Sequence, residues 1–119
     1  MAGAFPEGSL CSPSTAAYCV LGGSYSVNII DYSGSITGGY LNSSGDGVFN
    51  TNGGYVGQGT ITDATVSSNS ITATVSIDGY SGTGTFTGSA PYYSGSVPVY
   101  HTVIGEVYLT INNLFLVPN

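Results

Sequence analysis

The chain has 119 residues, no lysine and no arginine, and its six acidic residues give it a formal net charge of −6. Nucleic acid is excluded as a partner, because neutralising phosphates requires cationic side chains. Anionic membrane surfaces are disfavoured for the same reason. We also expect no membrane insertion, since no stretch approaches the roughly 20 apolar residues of a membrane-spanning helix. The length fits one domain, and a hydrophobic content of 41% is enough to build a core.

The first 23 residues are predicted to form an N-terminal arm, which precedes a β domain over residues 24–119. Within the arm, Cys11 and Cys19 are the only cysteines of the chain. An even count in a small chain of this composition indicates one short-loop disulfide in an oxidising compartment, and therefore an extracellular or cell-surface location. Two buried free thiols are the other interpretation. Residues 14–21, Ser-Thr-Ala-Ala-Tyr-Cys-Val-Leu, are the one predicted helix, of one to two turns.

From Ser24 onward the hydrophobic pattern has a period of two, which is typical of β-strands. Residues 70–77, Ser-Ile-Thr-Ala-Thr-Val-Ser-Ile, show it most clearly. The predicted connections between strands are short and rich in turn residues: Ser68-Asn69, Asp78-Gly79, Gly105 and Asn112-Asn113. No helical pattern separates the strands, so the sequence predicts an all-β, single-domain antiparallel meander of about eight strands. A small barrel and a two-layer sandwich are both compatible with this pattern.

The tripeptide Tyr-Ser-Gly occurs three times, beginning at Tyr32, Tyr80 and Tyr93. The spacing between the copies is not constant, so they do not define a structural repeat. In each copy a large ring that favours β structure precedes a flexible bend and a Ser or Thr. We interpret the tripeptide as a marker of the start of a strand and not as a ligand signature.

No pattern in the sequence indicates catalysis. His101 is the only histidine, and it lies in an alternating Val-Tyr-His-Thr-Val segment, where a structural role is the simpler interpretation. Three of the acids, Asp31, Asp46 and Asp78, lie in or beside Gly/Ser turns, where aspartate is expected for its local hydrogen bonding. We therefore expect a protein that is not an enzyme.

Calcium is the one cofactor that the sequence suggests. Residues 42–47, Asn-Ser-Ser-Gly-Asp-Gly, gather oxygen ligands around Asn42 and Asp46, and no cationic side chain competes for the carboxylate. The segment does not fit an EF-hand loop. A plain surface turn explains the same residues.

The ten tyrosines provide the candidate ligand site. Tyrosine with serine, glycine and asparagine is the composition of adaptable recognition surfaces. Tyr92, Tyr93 and Tyr100 are concentrated beside two prolines, and an exposed cluster of these rings could stack on a carbohydrate or on a protein partner. The other interpretation is that these rings cover the ends of the core.

The predicted strands have no lysine to protect an exposed sheet edge. A chain of this kind either closes its sheet into a barrel or pairs its edges with neighbouring copies. We therefore predict a non-enzymatic extracellular structural or adhesive subunit, which self-assembles into an oligomer or filament through strand edges and uncharged Ser, Thr and Tyr surfaces. Its candidate contacts are the apolar residues of the arm and of the C-terminal tail: Phe5, Leu10, Leu114, Phe115 and Leu116. The alternative function is a monomeric secreted barrel or sandwich that binds a carbohydrate or another small ligand through tyrosines.

Acid should not unfold this protein readily. Acid unfolding is commonly driven by protonation of carboxylates that are paired in the native state, and this chain has no lysine or arginine to pair with them. The same protonation removes the net charge, so solubility should fall near the isoelectric point of about 4.1. Circular dichroism near pH 3 checks the expectation: the folded spectrum should persist, and a cooperative loss of structure would contradict it.

Overall fold

The computed structural model describes Cys11, residues 13–28 and residues 32–119 of the chain. These residues form eight antiparallel β-strands. The strands are β1 (Tyr18–Val27), β2 (Tyr32–Leu41), β3 (Gly47–Gly53), β4 (Gly57–Val66), β5 (Ser70–Ile77), β6 (Tyr80–Ser89), β7 (Tyr92–His101) and β8 (Gly105–Pro118). None of the described residues forms a helix long and apolar enough to span a membrane.

The sheet closes into a barrel, because β8 pairs with β1 as well as with β7. The all-β antiparallel meander predicted from the sequence is confirmed, and the barrel is the observed one of the two architectures that the sequence left open. Each of the eight strands has a hydrogen-bonded neighbour on both sides. Since closure removes the edges of a sheet, pairing through free edges is not available to β1–β8.

The alternation of side chains explains how the barrel is filled. The apolar residues of β5 point inward and are buried, as the sequence pattern predicts: Ile71, Ala73, Val75 and Ile77. Thr72 and Thr74 lie between them on the outer face and pair with Thr85 and Thr83 of β6, at oxygen–oxygen distances of 2.9 and 2.7 Å. A void among the core side chains measures only about 20 Å³, and all the residues that line it are apolar. The barrel interior is therefore a packed core.

The two ends of the barrel differ. The connections β1–β2, β3–β4, β5–β6 and β7–β8 lie at one end, which we call the tyrosine end. The connections β2–β3, β4–β5 and β6–β7 lie at the other end, together with the residues that precede β1 and follow β8, and we call it the terminal end. The predicted turn Asp78-Gly79 is at the tyrosine end, and the φ values of 48° and 84° fit a two-residue type I′ hairpin.

The predicted helix over residues 14–21 is wrong. Ala16 donates its backbone N–H to the carbonyl of Pro13 in a turn, and β1 begins at Tyr18. The strand forms here because it pairs with β2 on one side and with β8 on the other. Strand structure thus begins inside the predicted arm, before Ser24, while residues 1–10 of that arm lie outside the described residues.

The predicted connection at Asn112-Asn113 is also wrong, since both residues lie inside β8. Asn113 has a φ of 53°, and the pairing of β8 with β1 shifts register beside it, near Gly22. These features define an irregularity of the β-bulge type, which inserts a residue without ending the strand.

The predicted disulfide between Cys11 and Cys19 is present, and the described residues contain no free cysteine. It ties the segment that precedes β1 to Cys19, the second residue of β1, at the terminal end. The side-chain amide of Asn119 holds the same segment, because it donates to the carbonyls of Ser14 and Ala16 at 3.1 and 2.8 Å. The disulfide is consistent with an oxidising compartment.

Candidate binding surfaces

The three tyrosines predicted as a ligand site lie on different surfaces. Tyr92 is on the outer face of β7, is 49% exposed, and stacks on Phe115 with a centroid separation of 4.9 Å. Tyr93 points inward, is 3% exposed, and donates its hydroxyl to the carbonyl of Ser67 at 2.8 Å. Tyr100 is exposed toward the opposite end of β7, about 26 Å from Tyr92 at the usual rise per residue. The fold therefore does not bring the three rings together in one site.

The predicted assembly contacts are divided between the core and the surface. Leu114 and Leu116 point into the barrel and are buried. Only Phe115 of the three tail residues reaches the outer face, where it is half-buried under Tyr92. Phe5 and Leu10 lie outside the described residues. Among the described residues, Leu114 and Leu116 belong to the core, because alternation places them on the inner side of β8, and they offer no outer-face contact to a neighbouring copy.

The turn between β2 and β3 uses the oxygens that suggested calcium. The side-chain oxygen of Asn42 accepts hydrogen bonds from the backbone N–H groups of Ser44 and Asp46 and from the Ser44 hydroxyl, at 3.1, 3.0 and 2.7 Å. One carboxylate oxygen of Asp46 accepts the backbone N–H of Asp63 at 3.2 Å, and the other accepts the Ser44 hydroxyl at 3.3 Å. No three His, Cys, Asp or Glu side chains gather as a metal site in the described part of the chain. A surface turn accounts for these contacts, and calcium stays a prediction.

A row of four aromatic rings crosses the tyrosine end. Neighbouring ring centroids are 6.1 Å apart from Tyr25 to Tyr32, 6.0 Å from Tyr32 to Tyr80 and 4.8 Å from Tyr80 to His101. The two tyrosine pairs have the edge-to-face geometry that aromatic rings favour. The Tyr25 hydroxyl accepts the backbone N–H of Tyr55 at 2.7 Å and also lies 3.1 Å from the carbonyl of that residue. The row thus ties four strands to the β3–β4 connection.

Tyr32 is held in its protonated form. Burial raises the pKa of its hydroxyl well above the ordinary value of about 10, and the hydrogen bond that it donates to Asp78 at 2.7 Å raises the pKa further. Burial also raises the pKa of Tyr93.

The three Tyr-Ser-Gly tripeptides lie at strand starts. Tyr32 and Tyr80 are the first residues of β2 and β6, and Tyr93 is the second residue of β7. The interpretation of Tyr-Ser-Gly as a strand start is therefore confirmed.

An exposed apolar patch covers the tip of the β7–β8 hairpin at the tyrosine end. We call it the tip patch, and its members are Tyr100 (58% exposed), Val103 (85%), Ile104 (48%) and Tyr108 (50%). The two tyrosines project from the outer faces of adjoining strands, since Tyr100 pairs with Glu106 and Tyr108 pairs with Pro98. The four side chains therefore lie within nine residues of one hairpin, from Tyr100 to Tyr108.

His101 supports the turn that carries the tip patch. Its Nδ1 accepts the backbone N–H of Val103 at 3.1 Å, and its ring packs against Tyr80 of the aromatic row. This arrangement gives the only histidine of the chain a structural position. The sequence pattern missed the patch, because placing the connection at Gly105 alone assigns Val103 and Ile104 to a strand. The signal in the sequence that could have revealed the patch is the apolar pair Val103-Ile104, immediately before Gly105.

Comparisons of the chain with protein-family models, curated proteins and solved structures found no match. The fold and the surfaces described above therefore carry the functional argument. They define a closed, eight-stranded antiparallel barrel with a packed interior and an apolar tip.

Proposed function

We propose that the protein is a non-enzymatic extracellular structural or adhesive subunit that associates with copies of itself through the tip patch. The observation that carries this proposal is the exposure of four large apolar side chains within residues 100–108. Burying a fully exposed aliphatic side chain contributes about 1.5–3 kcal/mol, and Val103 is 85% exposed while the other three are about half exposed, so a contact between two patches is driven by burial of apolar surface. The disulfide supports the extracellular location.

A second copy is the partner that the chemistry of the patch favours. The chain contains no lysine or arginine, and the nearest acidic side chain on the hairpin is Glu106, opposite Tyr100. Recognition here cannot depend on ion pairs formed by lysine or arginine of this protein. Two apolar patches satisfy each other without any opposite charge, and a twofold contact uses the same surface on both subunits. Few charges need to be desolvated when such surfaces meet.

Contact through the tip patch replaces the contact through strand edges that the sequence suggested. The barrel is closed, so the described strands have no edge to donate to a neighbour. The uncharged hydroxyl ladders on the outer face, such as Thr74 with Thr83, are already paired within one barrel. Association is therefore expected to use an end of the barrel.

Sedimentation equilibrium at several protein concentrations tests the proposal. We expect reversible association that strengthens with added salt and as the pH approaches 4.1, because both reduce repulsion between subunits of charge −6. Exchanging Val103 and Ile104 for serine should weaken association about tenfold or more.

Val56→Ser is the matched control, since Val56 is 72% exposed at the same end but lies on the β3–β4 connection. It should leave the association constant within about twofold of the wild type. A chain that stays strictly monomeric at neutral and mildly acidic pH would refute self-association. Equal weakening by Val56→Ser and by the double substitution would refute the tip patch as the contact.

A further inference from the structure

We propose that the mouth of the barrel at the terminal end is a binding site for a small, uncharged, mainly apolar ligand of one or two rings. The mouth is a depression of about 310 Å³ whose walls include Tyr18, Val66, Pro91, Tyr93 and Leu116. It lies at the end of the barrel opposite the tip patch. The inference is therefore independent of the self-association proposed above.

The walls of this depression are fixed by hydrogen bonds within the fold. The Tyr93 hydroxyl donates to the carbonyl of Ser67, which holds the ring against the β4–β5 turn. The backbone N–H of Leu116 donates to the carbonyl of Pro91, and that of Ala90 donates to the carbonyl of Ser68, each at 2.9 Å. A depression with walls held in this way is largely formed before a ligand arrives, which is the usual condition of small-molecule sites.

The size of the mouth sets the size of the ligand. A closed apolar cavity of about 150 Å³ holds one benzene ring, and the mouth has about twice that volume. Mouths of small β-barrels are a common location for such sites. The ligand binds at the mouth and not deeper, because the void within the core is only about 20 Å³.

The chemistry of the walls sets the class of ligand. Aliphatic and aromatic side chains dominate the walls of the depression. No Asp or Glu side chain lines it, and the chain has no lysine or arginine that could place a positive charge there. Tyr18 is half-buried, and its hydroxyl has no hydrogen-bond partner among the described residues. Ser67, Ser68 and Tyr93 also line the depression, but the hydroxyls of Ser67 and Tyr93 are already hydrogen-bonded within the fold, which leaves those of Tyr18 and Ser68. Two hydroxyls suit a ring system with a single polar group better than a pyranose, whose many hydroxyls each need a partner.

Naphthol is a suitable probe, because it has two fused rings and one hydroxyl. We expect saturable binding of naphthol to the full chain by isothermal titration calorimetry, with amide shifts in nuclear magnetic resonance spectra confined to the terminal end. Methyl glucoside should not bind at the same concentrations. Preferential binding of the glucoside, or no saturable binding of naphthol, would overturn the proposal.

Substitutions at the mouth make the test specific. Val66→Trp should fill the depression and weaken naphthol binding about tenfold or more, and Tyr18→Phe, which keeps the ring, should weaken it about fivefold through the lost hydrogen bond. Tyr92→Leu is the matched control, because Tyr92 neighbours Tyr93 in the chain but faces outward. Full binding by Val66→Trp, or equal weakening by Tyr92→Leu, would overturn the assignment. Naphthol binding that appears only after Phe5 and Leu10 are both changed to serine would mean that the chain's own residues 1–10 occupy the mouth. That result would also overturn the proposal of a ligand site.

Discussion

Raising the pH above about 10 should steeply destabilise the protein, and Tyr32→Phe should make this loss of stability shallower. The pKa of Tyr32 is higher in the folded chain than the ordinary value of about 10, because of burial first and the hydrogen bond to Asp78 second. A group whose folded pKa is raised contributes stability that is fully present below the unfolded pKa and is lost as the pH rises toward the folded pKa. The free energy of unfolding should therefore fall by up to about 1.4 kcal/mol per pH unit for this residue. Tyr93, whose pKa is raised by burial, adds to the slope.

This chain suits the measurement well. Lysine and arginine are absent, and both cysteines are joined in a disulfide, so tyrosines are the side chains that ionise in this alkaline range. Urea unfolding followed by circular dichroism at a series of pH values between about 8 and 12 gives the slope. Phenolate absorbance in the near ultraviolet counts the tyrosines that have ionised at each pH.

The variants separate the contribution of Tyr32 from those of the other tyrosines. Tyr32→Phe should be less stable than the wild type at neutral pH, because it loses a hydrogen bond to a carboxylate that is typically worth about 1.5–3 kcal/mol. Its slope above pH 10 should nevertheless be smaller by about 1.4 kcal/mol per pH unit. Tyr92→Phe is the control, since that ring is 49% exposed on the outer face of β7 and lies outside the tip patch. An unchanged slope in Tyr32→Phe would show that Tyr32 ionises in the folded barrel.

Features of the fold that depend on local sequence could be predicted. Alternation along residues 70–77 indicates which side of β5 faces the core, and Asp78-Gly79 indicates a two-residue turn, because both signals are complete within a few residues. Closure of the barrel could not be predicted, since it depends on pairing between residues at opposite ends of the chain, such as Val20 with Leu116. The failed helix has the same cause. Ser-Thr-Ala-Ala favours a helical turn locally, and pairing with two neighbouring strands overrides that preference.

The binding surfaces were less predictable than the fold, because they depend on which side of a strand each residue occupies. Tyr92 and Tyr93 look like one cluster in the sequence, yet adjacent residues of a strand point to opposite faces. Asn112-Asn113 looks like a turn, and only the pairing of the residues that flank it, Ile111 with Gly95 and Leu114 with Tyr93, shows that it lies within a strand. The mouth at the terminal end brings together Tyr18 and Leu116, which are far apart in the sequence and adjacent only in a closed barrel.

Replacing Gly59 by alanine should destabilise the barrel by about 1–3 kcal/mol, despite the better strand propensity of alanine. Gly59 of β4 lies directly opposite Phe49 of β3, whose ring covers it. A Cβ atom at Gly59 would lie 2.3 Å from Cζ and 2.6 Å from Cε1 of that ring. Phe49 is 2% exposed, and the void beside it measures only about 20 Å³, so the ring has no room to move away.

Thermal and urea unfolding of four variants would establish this cause. Gly22→Ala is the matched control in β1, because no atom lies within 4 Å of the added carbon and the backbone is not left-handed; it should be neutral or stabilising by up to about 1 kcal/mol. Phe49→Leu alone should be destabilising through the smaller side chain. In the Phe49→Leu background, Gly59→Ala should cost less than in the wild type, because the shorter side chain leaves space for the added methyl group. Equal costs in the two backgrounds would mean that the glycine is required by the backbone and not by the ring that covers it.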